Sequence, residues 1–118
     1  MSAAILITGG AQRLGLAMAE NLLAQDIPVI VTYRTPKPHV ETLAQAGAHV
    51  IQCDFAQADQ ITALCRTIGE QYPTLRAIIH NASDWDQEAD TQDYAGLMHK
   101  MMQVHVSAPY QINLALQS

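Results

Sequence analysis

Short apolar runs alternate along the chain with longer segments in which apolar residues recur at the spacing of a helix. The runs are AAILIT (3–8), PVIVTY (28–33), AHVIQC (48–53) and LRAIIH (75–80). Between them, the segment from 59 to 72 carries apolar residues at i, i+3, i+4 and i+7, the pattern of a helix that packs by one face. The pattern predicts alternating strands and helices, then a long helical segment from about Asp90 that only Pro109 interrupts.

The apolar runs are continuous, which is typical of buried strands in a parallel sheet with helices on both faces. Right-handed crossovers place the second strand beside the first, the third beyond the second, and the fourth on the other side of the first. The sequence therefore predicts an α/β fold, a doubly wound Rossmann-type sheet with strand order 3-2-1-4. Its ligand should bind at the switch point, where Thr8–Arg13 and Asn81–Trp85 follow the first and fourth strands.

Composition and charge exclude several kinds of function. The net charge of −5, with only six Lys and Arg residues, argues against binding nucleic acid or an anionic membrane. Cys53 and Cys65 lack paired spacing, so we expect buried, reduced thiols in a cytoplasmic protein. The first apolar run is too short for a signal peptide or a membrane span, and the histidines lack zinc spacing, so no metal is expected.

The segment TGGAQRLG (Thr8 to Gly15) follows the first strand and opens the first helix. In this context glycines permit positive φ and a close approach of the backbone to a ligand, and Gly15 allows tight packing of helix on strand. The start of the helix supplies N–H groups and a positive dipole end. The segment therefore predicts a turn that binds the pyrophosphate of a dinucleotide.

The end of the second strand indicates which dinucleotide binds. Roughly twenty residues past the turn, an NAD-binding protein places an acid against the ribose hydroxyls. This chain instead has Tyr33, Arg34 and Thr35. A guanidinium can hold a 2′-phosphate through paired charge-assisted hydrogen bonds, and Thr35 adds a hydroxyl donor, so NADPH is the expected cofactor. The alternative is that Arg34 is a solvated loop cation.

The spacing of Thr8 to Gly15, Asp54 after the third strand and HNAS (80–83) after the fourth resemble the short-chain dehydrogenase/reductase family over nearly the whole chain. The resemblance implies an oxidoreductase in which Asp54 contacts adenine. One departure is Arg13, which stands where the family usually has its middle glycine.

Arg13, Ser83 and Trp85 together resemble the pteridine reductase branch of that family. That resemblance implies NADPH-dependent reduction of a C=N bond in a dihydropterin-type, dihydrofolate-like substrate. Trp85 would stack on the pterin, and Arg13 and Ser83 would contact the pterin and the cofactor phosphates. An aromatic platform stabilises a flat heterocycle by about 1–3 kcal/mol. The alternative is that Trp85 is a core or interface residue.

The expected substrate residues are thus Arg13, Ser83 and Trp85. The expected cofactor-binding residues are Gly9, Arg13, Leu14, Gly15, Tyr33, Arg34, Thr35, Asp54, Phe55, Asn81, Ala82 and Ser83.

The family's catalytic Tyr-x-x-x-Lys pair is matched by spacing at Tyr33 and Lys37, but Pro36 precludes the helix that would align them. We expect the true pair beyond Ser118, so that residues 1–118 are the N-terminal part of one NADP-binding Rossmann domain, truncated before its catalytic segment. Such domains commonly have about 200–250 residues, and truncation would leave the fourth strand as an uncovered edge. His105 stands where the family has a helix Asn that supports a proton relay; it is either that donor or a buried structural histidine.

Three further expectations remain open. A carbonyl-directed reductase of the same family would use the same cofactor residues without needing Trp85, and a non-catalytic dinucleotide-binding fragment would lack chemistry altogether. The resemblance also implies a homotetramer when the protein is full length. The methionines at 98, 101 and 102 have helical spacing, which favours a core or subunit interface over a ligand surface.

Overall fold

Strands and helices alternate in the computed structural model, which describes residues 3–9, 13–36, 38–81 and 94–116. The strands are β1 (Ala4–Ile7), β2 (Val29–Tyr33), β3 (His49–Gln52) and β4 (Leu75–Ile79). The helices are α1 (Arg13–Ala24), α2 (Pro38–Gln45), α3 (Ala58–Gln71), α4 (Tyr94–Met102) and α5 (Ala108–Leu116), and a π-helical segment (Gln103–Ser107) joins α4 to α5. The predicted alternation is confirmed, with ends that differ by a few residues, as is usual for helix and strand limits.

The strands form one parallel sheet in the order β3-β2-β1-β4, which confirms the predicted topology. Ile7, the last residue of β1, lies opposite Val31 on one side and Ile79 on the other. The carboxyl ends of β1, β2 and β4 therefore lie side by side. A ligand that enters between β1 and β4 meets residues from all three strands.

Helices cover both faces of the sheet. Successive side chains of a strand point to opposite faces, so the apolar residues of β1 pack against helices on either side. Ala4 and Leu6 of β1 lie in one apolar cluster with side chains of α3 and α5. Ile5 and Ile7 lie in a second cluster with side chains of α1 and α2. The central strands are thus buried on both faces, as the continuous apolar runs predicted.

The prediction of a fully buried strand is wrong for β4. Arg76 and Ala77 are exposed, and the other three residues of the strand are half-buried. The reason is its position: β4 pairs with β1 alone and is one of the two edge strands of the sheet in the described part of the chain. An uncovered edge at this strand agrees with the expectation from sequence.

The long helical segment changes geometry before Pro109. Pro109 lacks an N–H, and in a regular α-helix its ring would clash with the carbonyl of the residue four positions earlier, His105. The π-helical segment spans that residue, which widens the helix where the clash would occur. The interruption thus begins about one turn earlier than predicted, and α5 continues past the proline. None of the described helices is long and apolar enough to cross a membrane.

Candidate functional site

A tight turn follows β1 and is tied to the end of β4. Gly9 has φ of 66°, a left-handed conformation that glycine adopts without steric cost. The Thr8 N–H donates to the carbonyl of Ile79 at 3.0 Å, and the Asn81 N–H donates to the buried Thr8 hydroxyl at 3.0 Å. The Asn81 side chain donates from Nδ2 to the Gly9 carbonyl at 3.1 Å. These bonds bring together Gly9 and Asn81, which the sequence placed in the site.

Thr32, on β2, ties the same turn to the other neighbouring strand. Its side chain is 2% exposed, and its Oγ1 accepts a hydrogen bond from the Gly9 N–H at 3.0 Å. Sequence reasoning missed this residue, although a threonine inside an otherwise apolar run next to the site was a usable signal. Both polar backbone groups of Gly9 therefore have protein partners, and N–H groups able to bind a phosphate have to be sought elsewhere in the segment.

The first turn of α1 can supply such groups. The opening N–H groups of a helix have no partner within the helix and carry the positive end of its dipole. Arg13 begins α1, and the first turn contains no acidic residue that would repel a phosphate. Gly15 is buried, and Leu14 is 66% exposed at the amino-terminal end of the helix. This arrangement fits an anion such as a pyrophosphate.

The Tyr33-Arg34-Thr35 segment lies at the same edge of the sheet, directly after β2. Tyr33 is half-buried, and its carbonyl accepts from the Cys53 N–H at 2.8 Å. Arg34 and Thr35 are exposed, and the Arg34 carbonyl accepts from Gln52 Nε2 at 3.1 Å. An exposed guanidinium one strand away from the turn fits the phosphate of an adenosine ribose.

Asp54 begins the turn between β3 and α3. Its Oδ1 accepts from the Ala56 N–H at 2.9 Å, and its own N–H donates to Gln60 Oε1 at 2.8 Å. The carboxylate is thereby held in one orientation beside the end of β3. Phe55, in contrast, is 5% exposed and packs in the cluster beneath α3, so it can meet a ligand through its backbone rather than its ring.

The remaining expected residues are placed only in part. Ala82, Ser83 and Trp85 lie outside the described residues, and Arg13 is described only in its backbone. His105 lies in the π-helical segment and is exposed, so the alternative of a buried structural histidine is wrong.

A second contact joins the end of β4 to α5. His80 Nε2 lies 2.8 Å from Asn113 Oδ1 of α5. His80 immediately precedes Asn81, so this contact fixes the position of β4's end from the helical side. The local sequence gave no signal for it, because the two residues are 33 positions apart.

Cys53 is inert despite its position next to Asp54. Burial raises the pKa of its thiol to about 12, and the nearby charges of Asp54 and Cys65 add to that rise. The thiol therefore stays protonated at neutral pH and does not act as a nucleophile. Both cysteines are free; Cys53 is buried, as expected, and Cys65 is half-buried. The described ranges contain no cluster of three or more potential metal ligands.

The fold and the turn agree with a comparison of the sequence with known families. The model of the short chain dehydrogenase family matches residues 3–116. The chain belongs to the short chain dehydrogenase family. The expectation drawn from the glycine-rich turn, Asp54 and the HNAS segment is thus confirmed at the level of the family.

The names of similar proteins are more specific than the family description of this chain. It is 46% identical over 114 residues to dihydromonapterin reductase of Klebsiella pneumoniae subsp. pneumoniae, across 97% of this chain and 48% of that protein. It is 49% identical over 113 residues to dihydromonapterin reductase of Citrobacter koseri, across 96% of this chain and 47% of that protein. The chain spans about half the length of the curated relatives it matches.

Solved structures show the same fold at lower identity. A short-chain dehydrogenase from Streptomyces avermitilis superimposes with a TM-score of 0.79 at 24% identity, over 98% of this chain and 43% of that one. A metagenomic short-chain oxidoreductase in complex with NADP superimposes with a TM-score of 0.77 at 21% identity, over 97% of this chain and 54% of that one.

Proposed function

We propose that the protein is an NADPH-dependent reductase of dihydropterin-type substrates, of which dihydromonapterin is the first candidate and dihydrofolate-like compounds the next. The identity of 46% to 49% with two dihydromonapterin reductases, over nearly all of this chain, carries the proposal. The reaction moves a hydride from the reduced nicotinamide to the carbon of a C=N bond, and a proton to its nitrogen.

Residues 1–118 supply the cofactor-binding part of one NADP-binding Rossmann domain. The pyrophosphate lies at the start of α1, where Arg13, Leu14 and Gly15 present backbone N–H groups. Support comes from the left-handed Gly9 turn, which is tied to both neighbouring strands. When bound, NADPH supplies the hydride; the residues of this chain bind and orient it.

The adenosine end of the cofactor lies along the ends of β2 and β3. Arg34 and Thr35 hold the 2′-phosphate, and Asp54 contacts the adenine. Support comes from the exposure of Arg34 and from the orientation that Ala56 imposes on the Asp54 carboxylate. The remaining cofactor-binding residues of the proposal are Tyr33, Phe55, Asn81 and Ala82.

The pterin lies beyond the nicotinamide, against Trp85, with Arg13 and Ser83 as polar contacts. His105 supports the proton relay, and its exposure in the π-helical segment leaves the ring accessible to water. The protein works in the cytoplasm, without nucleic acid or membrane, and its two free cysteines fit a reducing compartment.

The whole protein forms a homo-oligomer through an apolar stripe on the long helix. The stripe comprises Met98, Met102, Val106, Tyr110 and Leu114. Each of these side chains is more than half exposed, they recur at every fourth residue, and none is charged. A second copy can pack against such a face without bringing like charges together.

The test is NADPH oxidation by the protein as its gene encodes it, with dihydromonapterin, dihydrofolate and a simple ketone in parallel. Turnover of the dihydropterins with NADPH preferred over NADH is expected. Turnover of the ketone alone would make it a carbonyl reductase, and NADPH binding without turnover of any substrate would make it a non-catalytic dinucleotide binder. Trp85→Ala should raise KM for the pterin and leave KM for NADPH unchanged.

A further inference from the structure

We propose that Gln52 sets the preference for NADPH by holding the Arg34–Thr35 peptide in place. Gln52 is the last residue of β3 and is not itself one of the expected cofactor-binding residues. The inference rests on the proposed function, in which Arg34 and Thr35 bind the 2′-phosphate.

The β2–β3 ladder ends where the selectivity residues begin. Tyr33 and Gln52 are the last pair in register, and the following Cys53 N–H donates to the Tyr33 carbonyl. Beyond this point the backbones offer no further ladder bond. The Gln52 side chain takes over, because its Nε2 donates to the Arg34 carbonyl at 3.1 Å across a separation of 18 residues.

This bond orients more than one atom. A peptide unit is planar, so fixing the Arg34 carbonyl also fixes the N–H of Thr35, which points the opposite way. The unit joins the two residues that are proposed to hold the 2′-phosphate. On its far side Pro36 restricts Thr35 to extended conformations. The peptide is thus held between the Gln52 amide and a proline, and Gln52 acts as a positioning residue.

If Gln52 positions this peptide, its substitution should weaken binding of the 2′-phosphate and leave the rest of the ligand's binding unchanged. The experiment uses calorimetry to compare binding of adenosine 2′,5′-bisphosphate and 5′-AMP, which differ only in the 2′-phosphate, to the protein as its gene encodes it. Gln52→Met keeps the side-chain length and removes the donor. It should lower the affinity ratio of the two ligands about three- to tenfold, the loss of one hydrogen bond, and leave 5′-AMP affinity unchanged. Gln52→Asn, one methylene shorter, should act similarly.

Gln45→Met, an equivalent change at the exposed end of α2, is the matched control and should leave the ratio unchanged. An unchanged ratio in Gln52→Met, or an equal loss for both ligands, would overturn the inference. In an Arg34→Ala background, Gln52→Met should have a smaller effect on the ratio, because only Thr35 is left to be positioned. An undiminished effect would instead indicate direct contact of Gln52 with the ligand. If Arg34→Ala alone leaves the ratio unchanged, the proposed cofactor preference and this inference both fall.

Discussion

The neighbouring strands β1 and β4 differ in burial although their backbones pair in parallel along their length, with one register shift between Ala4 and Ile5. All four residues of β1 are buried, whereas every residue of the neighbouring β4 is exposed or half-buried. Hydrogen bonding therefore does not explain the difference, since β1 and β4 share one ladder. What differs is cover: β1 has a strand on each side, and β4 has one. The turn proposed to bind the cofactor is built on the most fully packed part of the molecule.

The helices on one face show the same contrast. α3 buries Ile61, Leu64 and Ile68 and presents polar residues on its outer side. The long helix likewise buries Val104 and Ile112, yet its outer side carries the apolar stripe. α3 is thus an ordinary amphipathic surface helix. The segment from α4 to α5 has a second apolar face, and its exposure to water is unfavourable in free energy.

The largest expected effect on stability comes from the buried strand β1. Leu6→Ala removes a side chain with no exposed surface and should destabilise the protein by about 2–5 kcal/mol, through lost burial and the cavity it leaves. Leu114→Ala makes the same chemical change on the apolar stripe, where 54% of the residue is exposed. In monomeric protein it should cost at most about 0.5 kcal/mol. Urea unfolding of both variants measures the difference, and equal losses would refute the contrast.

Thr32→Val tests the network at the turn. The substitution preserves shape and leaves the Gly9 N–H without its acceptor, which should cost about 1–3 kcal/mol in the free energy of unfolding. It should also weaken binding of 5′-AMP and adenosine 2′,5′-bisphosphate alike, because the turn serves the part of the ligand they share. Thr32→Ser keeps the hydroxyl and should restore most of the binding. If the Thr32→Val variant binds both ligands as tightly as the wild type does, Thr32 has no part in positioning the turn.

Sequence predicted the strands and their order, because apolar periodicity is a local signal and crossovers between parallel strands are right-handed as a general rule. It did not predict Thr32, Gln52 or Asn113. Each makes its hydrogen bond to a residue 18 to 33 positions away, and a polar residue in or beside a strand shows no sign of which partner it will meet. Pro109 signalled a break in the helical segment but not its form, a π-helical segment from Gln103 to Ser107 after which α5 continues past the proline.

A charge on the apolar stripe should weaken self-association and leave the stability of the monomer nearly unchanged. Met102→Glu places a carboxylate in the middle of the proposed contact between copies, where burying it without a partner is costly. Sedimentation of the protein as its gene encodes it should show a smaller oligomer, while unfolding of the monomer shifts by no more than about 0.5 kcal/mol. Gln111→Glu adds the same charge to an exposed position off the stripe and should leave the oligomer intact. Dissociation by both variants would point to net charge, not to the stripe.

The smallest effect at neutral pH should come from Cys53. Burial raises the pKa of this thiol from 9.0 to about 12 in the folded protein, so the unfolded chain loses the proton first as pH rises. Its contribution to stability is therefore complete below pH 9 and is lost progressively between pH 9 and about pH 12. The difference in unfolding free energy between the wild type and Cys53→Ala should narrow over that interval. Cys65→Ala is the comparison. Cys65 is half-buried and burial also raises its pKa, so the difference in unfolding free energy between the wild type and Cys65→Ala should likewise narrow as pH rises.

Alkylation compares the accessibility of the two thiols. Iodoacetamide should modify Cys65 faster than Cys53 in the folded protein at pH 8.5, because Cys53 is buried. The reverse order would show that the protein opens readily at the end of β3.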